Sequence, residues 1–141
     1  LVAIGDLATS LGAADITSID FVTTSLGNNA GGNVDVKVRF NEAVDITGTP
    51  QLTLTNSRAG GGSAATLVLD YLSGTGKFEM IFRKAVGAGS TADEEDDVLS
   101  VGTNVLSLNG GTIKDKGTNT ASTITNVAGI GSAAGTLTIG T

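Results

Sequence analysis

Residues 34–40 read VDVKVRF, a stretch that alternates without a fault. Val34, Val36, Val38 and Phe40 fall on one side, and Asp35, Lys37 and Arg39 on the other. A period of two is that of a half-buried β-strand and cannot be laid on the 3.6-residue turn of a helix. The same pattern recurs along the chain. ITSIDFVTTS (16–25) places Ile19 and Phe21 together, and PQLTLTN (50–56) places Leu52 and Leu54 together. TLVLDYL (66–72) aligns Leu67, Leu69 and Tyr71, and KFEMIFR (77–83) aligns Phe78, Met80 and Phe82. VLSVGTNVLSLNGGTI (98–113) gives one or two short strands broken at Gly102 and turned at Asn109–Gly111, and the tail closes with Leu137 and Ile139 facing inward.

Turn signals separate these runs: LGNNAGGN (26–33), SRAGGGSA (57–64), the hairpin SGTG (73–76) and the acidic GSTADEEDD (89–97). About seven strands with turns every eight to twelve residues predict an all-β, two-sheet antiparallel β-sandwich. The 21 glycines and abundant Thr, Ser and Asn fit many turns between β-branched strands. No helical periodicity is read inside the body of the domain, which disfavours an α/β sheet, and no internal repeat is evident. A chain of 141 residues is a one-domain length.

Composition excludes several function classes. The net charge is -6 and no Lys/Arg cluster exists, so no nucleic-acid partner and no anionic membrane surface is expected. No apolar run approaches the roughly twenty residues of a membrane span. Cysteine and histidine are both absent, and with them disulfides, thiol nucleophiles, thiolate or imidazole metal sites and Ser-His or Cys-His catalysis. The expectation is a protein that is not an enzyme. The chain starts at Leu1 rather than Met, which reads as a processed product, an excised fragment or an incompletely known start; no uncleaved signal peptide is visible.

Residues 1–15, LVAIGDLATSLGAAD, are set apart as an N-terminal arm, leaving 16–141 as the sandwich. Leu1, Ile4, Leu7 and Leu11 recur at helix-like spacing, interrupted by Gly5 and Gly12. Apolar side chains outside a sandwich suggest docking on a neighbouring subunit. Packing on the arm's own domain, or a linker from a preceding repeat, stands as the alternative.

Two acidic features are candidates for chemistry. In VRFNEAVDITGTPQLTL (38–54), Glu42 and Asp45 lie three residues apart in what reads as a tight connection before the chain's only proline. A glycosidase-type pair needs two carboxylates opposed across a cleft, with one pKa raised by burial. A turn role fits better: Asn41 can bond its own backbone, and Gly48 and Pro50 shape the reversal. The run around Asp93, Glu95 and Asp97 can collect calcium, a hard cation that takes six to eight oxygens, and Asp115 in IKDKGTN can join from a neighbouring loop. The plain alternative is a solvated, self-repelling loop, because consecutive residues point in different directions. Lys114 and Lys116 flank Asp115 on an expected turn and read as solubilising. No other cofactor is expected.

Three stretches, VKVRFNEAVDITGTPQLTL, LDYLSGTGKFEMIFR and NVLSLNGGTIKDKGTNTA, resemble bacterial Ig-like repeats. Their usual form reads approximately VTFSEAVTVTGTPTLTL, YxSGSGT and LSLNGGTIKDAAGNAA. The resemblance runs in order over roughly residues 16 to 140, with KDKGTNTA departing from the usual KDAAGNAA and with a more acidic DEEDDVL. It implies an Ig-like sandwich and a non-enzymatic display, adhesion or assembly module with protein partners. Such domains decorate tailed-phage virions and occur in tandem in bacterial surface proteins. The expected role is a decoration or accessory protein of capsid or tail on the virion surface. The alternative is one repeat of an adhesin or surface-layer protein on the cell exterior.

Overall fold

The structure is a computed structural model that describes residues 14–27, 29–56, 65–86 and 98–140. The arm residues Leu1, Ile4, Leu7 and Leu11 lie outside the described residues. The described body already includes Ala14, which is fully buried, and Asp15, which bridges to Thr123 in parallel.

The body is all-β. Its strands are β1 (Ile16–Phe21), β2 (Leu26–Gly27), β3 (Gly32–Thr47), β4 (Gln51–Asn56), β5 (Ala65–Ser73), β6 (Lys77–Val86), β7 (Val98–Ser100), β8 (Leu106–Ser107), β9 (Thr112–Asp115) and β10 (Thr136–Gly140). These exceed the expected seven because β2, β8 and β9 are very short and are created by non-local pairing rather than by local pattern. A helix, α1 (Ala128–Ala134), also interrupts the all-strand expectation. Its sequence AGIGSAA is too short and too glycine-rich to show an amphipathic period, so nothing in the pattern announces it.

The strands form one curled, mixed sheet with the order β1-β3-β6-β5-β4-β7-β10-β2, with β8 added on β4 and β9 on β3. The pairs are antiparallel except β10 with β2, which is parallel. The inward residues read from alternation make the core. Val34, Val36, Val38, Leu52, Leu54, Leu69, Met80 and Phe82 are fully buried, and Leu137 and Ile139 join them. Each such side chain contributes about 1.5–3 kcal/mol by leaving water. Tyr71 is only partly buried: its ring meets Phe82 edge-on, with centroids 6.1 Å apart, and its hydroxyl accepts the Thr75 N–H at 2.8 Å.

Two expectations are corrected here. Phe78 is 54% exposed rather than inward. It stands beside the hairpin turn, where the β5–β6 register has already shifted between Tyr71 and Ser73, so no inner layer faces it. The segment carrying Glu42 and Asp45 is also not a turn. Strand β3 runs unbroken from Gly32 to Thr47. Its second half is held by partners distant in sequence. Asn41 N–H donates to the Asp15 carbonyl at 3.0 Å, and the Asp15 N–H donates to Asn41 Oδ1 at 3.0 Å. The Ala43 carbonyl accepts the Lys116 N–H, and Val44 to Thr47 pair with Asp115 to Thr112. The chain reverses only at Gly48–Pro50.

Candidate functional site

Because β3 continues past Phe40, its alternation does too. Glu42 has the parity of Phe40 and Val44, both buried, so its side chain takes the inner face. Asp45 takes the opposite, exposed face. The two acids therefore never form a pair, and the catalytic-pair reading has no geometry to support it. Asp45 Oδ1 instead lies beside Gly76, as does the Lys116 ammonium.

Glu42 meets Asp115. The latter ends β9 opposite Val44 and is 3% exposed, on a strand rather than in the loop expected from the sequence. Its loop, KDKGTNT, closes tightly around it. Asp115 Oδ1 accepts the Thr118 N–H at 2.8 Å and the Thr118 hydroxyl at 3.1 Å. The Asp115 carbonyl accepts the Asn119 N–H, and the Asp115 N–H donates to the Thr120 carbonyl. Asn119 adopts a positive φ of 59°, which Asn tolerates better than most residues.

Pairing of Val44 with Asp115 sets the Glu42 carboxyl, two residues back on the same face of β3, alongside that of Asp115. Glu42 Oε2 and Asp115 Oδ2 are both shielded from solvent and meet no donor. Ionised carboxylates only accept, so two of them in contact leave oxygens unsatisfied until a proton or a cation intervenes. Burial pushes the Glu42 carboxyl above its ordinary range, and the neighbouring Asp115 and the charge of Asp15 push it further. The Thr118 N–H holds Asp115 below the ordinary range, against the opposing effect of burial. Among the described residues no Lys or Arg forms an ion pair with either acid. The cross-strand pairs lie elsewhere, on the outer face, where Arg83 grips Asp35 through two 2.7 Å bonds and Lys37 meets Glu79 at 3.3 Å.

A third unsatisfied oxygen lies on the adjoining strip 120–123. Ser122 Oγ is shielded from solvent and has no partner. Its own N–H donates to the Ile113 carbonyl, and the next residue, Thr123, donates to the Ala14 carbonyl. The strip thus runs beside both Asp115 and Asp15.

Of the residues expected to hold calcium, Asp93, Glu95 and Asp97 lie outside the described residues, and Asp115 is brought to Glu42. Among the described residues no group of three or more His, Cys, Asp or Glu stands at metal-holding spacing. Sequence reasoning missed the inward Glu42, although counting parity from Val34 through Val44 reaches it. The same count from Ile113 puts Asp115 inside.

One surface cleft of about 500 Å³ opens between β2, β10 and the start of β3. Its lining, which includes Thr24, Ser25, Gly31, Asn33 and Thr138, carries no titratable side chain. No protein-family model, curated protein or solved structure matches the chain.

Proposed function

We propose that this chain is a non-enzymatic Ig-like display module on the exterior of a large assembly, acting as a decoration or accessory protein of a phage capsid or tail. The observation that carries the Ig-like part is the strand order. It runs β1-β3-β6-β5-β4-β7-β10-β2 in one curled sheet, with β5 and β4 paired where the two halves meet. Read as two halves, β1-β3-β6-β5 and β4-β7-β10-β2, that order supports the reading because it matches the ABED and CFG orders of an Ig sandwich, with β3 to β7 and β10 in the roles of B to G. The first edge segment is shared: β1 pairs with β3 on one side, and β2 pairs in parallel with β10 on the other. The sequence resemblance to Ig-like repeats follows the same elements.

The display role rests on that resemblance together with the character of the outer faces. Ion pairs such as Asp35–Arg83 and Lys37–Glu79 cover β3 and β6, and the cleft offers shape without an acid, base or nucleophile positioned for catalysis. Function is carried by sites, not folds, and the sites here suit binding more than turnover.

Immunogold labelling with antibody against the domain tests the reading on particles and cells from the source. Gold on the particle surface supports a virion subunit. Gold on the cell envelope favours an adhesin repeat, and labelling confined to the cell interior overturns both. Deleting residues 1–15 tests the arm: if the shortened protein still attaches to its particle, docking by Leu1, Ile4, Leu7 and Leu11 fails.

A further inference from the structure

We propose that Glu42 and Asp115 bind a divalent cation of the calcium class. This site is separate from the acidic run at 93–97 and does not depend on which particle or cell displays the domain.

Three observations converge on it. The first is charge. Two acids from distant parts of the chain are brought to the same face by the pairing of β3 with β9, Asp115 buried and Glu42 half-buried. Among the described residues no basic side chain pairs with them. Buried charge of one sign is costly unless something of the other sign accompanies it. The second is unmet bonding. Glu42 Oε2 and Asp115 Oδ2 are both hidden from solvent without partners. Asp115 is 3% exposed, and its second oxygen is shielded from bulk solvent. Buried polar atoms are satisfied in nearly all native structures, and each exception asks for a reason.

The third observation is chemistry. Every group offered is a hard oxygen, and the chain has no His or Cys to favour a softer metal. Calcium takes six to eight oxygens in flexible geometry and accepts waters among them, whereas magnesium demands a near-octahedral cage. Two carboxylates completed by water suit the former. The Thr118 bonds to Asp115 Oδ1 orient that carboxylate and leave Oδ2 free, as a metal ligand's outer contacts should. Such an ion ties β3 to β9, at the point where Ala14 and Asp15 enter the body.

Thermal melting of the 141-residue chain at neutral pH tests the assignment in chelator, in calcium and in magnesium. Calcium at about a hundredfold excess over its dissociation constant should raise the melting temperature by about 9 °C, and magnesium much less. The near-isosteric Glu42→Gln variant should lose that rise, yet melt in chelator at or above the wild-type temperature, because one of two like charges is gone. Calorimetric titration of the wild-type protein, which needs no variant to fold, should show saturable uptake of calcium. Absence of both uptake and shift means that the pair shares a proton instead, and overturns the proposal. So does a calcium shift that persists undiminished in Glu42→Gln but vanishes in Asp93→Asn/Glu95→Gln/Asp97→Asn, which moves the ion to the acidic run.

Discussion

Gly48 and Gly111 meet backbone against backbone. A Cβ on Gly48 would fall 2.8 Å from the Gly111 Cα, and one on Gly111 would fall 2.3 Å from the Thr47 carbonyl oxygen. Gly48 also sits at φ +72°, where L side chains are strained. The end of β3 is thereby docked on the turn before β9, and Asn109 Nδ2 reinforces the contact by donating to the Thr49 carbonyl at 3.1 Å. Gly111→Ala should destabilise the domain by about 1–3 kcal/mol, the usual result of forcing a methyl group into a closed contact. Urea unfolding monitored by circular dichroism checks this.

Two phenylalanines on β6 should respond very differently to truncation. Phe82 is fully buried and stacks edge-on against Tyr71, so Phe82→Ala should cost about 3–5 kcal/mol. Phe78 is 54% exposed, and Phe78→Ala should change stability by less than about 0.5 kcal/mol. Equal losses in chemical denaturation would contradict the register described for the β5–β6 hairpin.

Asn126 is a buried polar staple, 4% exposed. Its Oδ1 accepts the Val105 N–H at 3.0 Å, and its Nδ2 donates to the Gly102 carbonyl at 2.8 Å. Asn126→Ala leaves both backbone groups without partners in the interior. The loss should be about 2–3 kcal/mol, since each orphaned buried group costs on the order of 1–3 kcal/mol. Asn126→Asp should be worse, because it sets a carboxylate oxygen against the Gly102 carbonyl. Thermal melts of the two variants rank them directly.

In chelator, the paired acids should give the domain a specific pH dependence. Glu42 is held above its ordinary 4.5, so the folded state keeps that proton longer than the unfolded chain does. Stability should therefore fall as pH rises from about 4.5 through the folded value of Glu42. Asp115 is held below its ordinary 3.8, so its contribution is present above that value and is lost as pH falls through its folded one. Glu42→Gln should abolish the first loss and retain the second, which a comparison of melting temperatures across pH reads out.

Much of the fold is legible because alternation reports which face each residue takes. Val34 to Phe40, Leu52, Leu54, Met80 and Phe82 all sit where their spacing puts them. What the spacing does not contain is the partner. Nothing local to Asn41–Thr47 says that Asp15, Lys116 and β9 will bind its backbone, so a continuous strand looks like a strand followed by a turn. The site suffers from the same blindness. Glu42 and Asp115 each look like surface acids until β3 and β9 are paired, and only their shared parity with Val44 and Ile113 hints that both face inward. Phe78 fails for the converse reason: its parity is right, but the inner layer ends before it.

The most direct test of the Glu42–Asp115 site is a crystal structure of the protein grown with calcium at neutral pH, with anomalous scattering used to locate the ion. The account predicts an anomalous peak coordinated by the Glu42 and Asp115 carboxylates, with water completing the shell. A short carboxyl–carboxylate hydrogen bond between Glu42 and Asp115, with no peak between them, would contradict it.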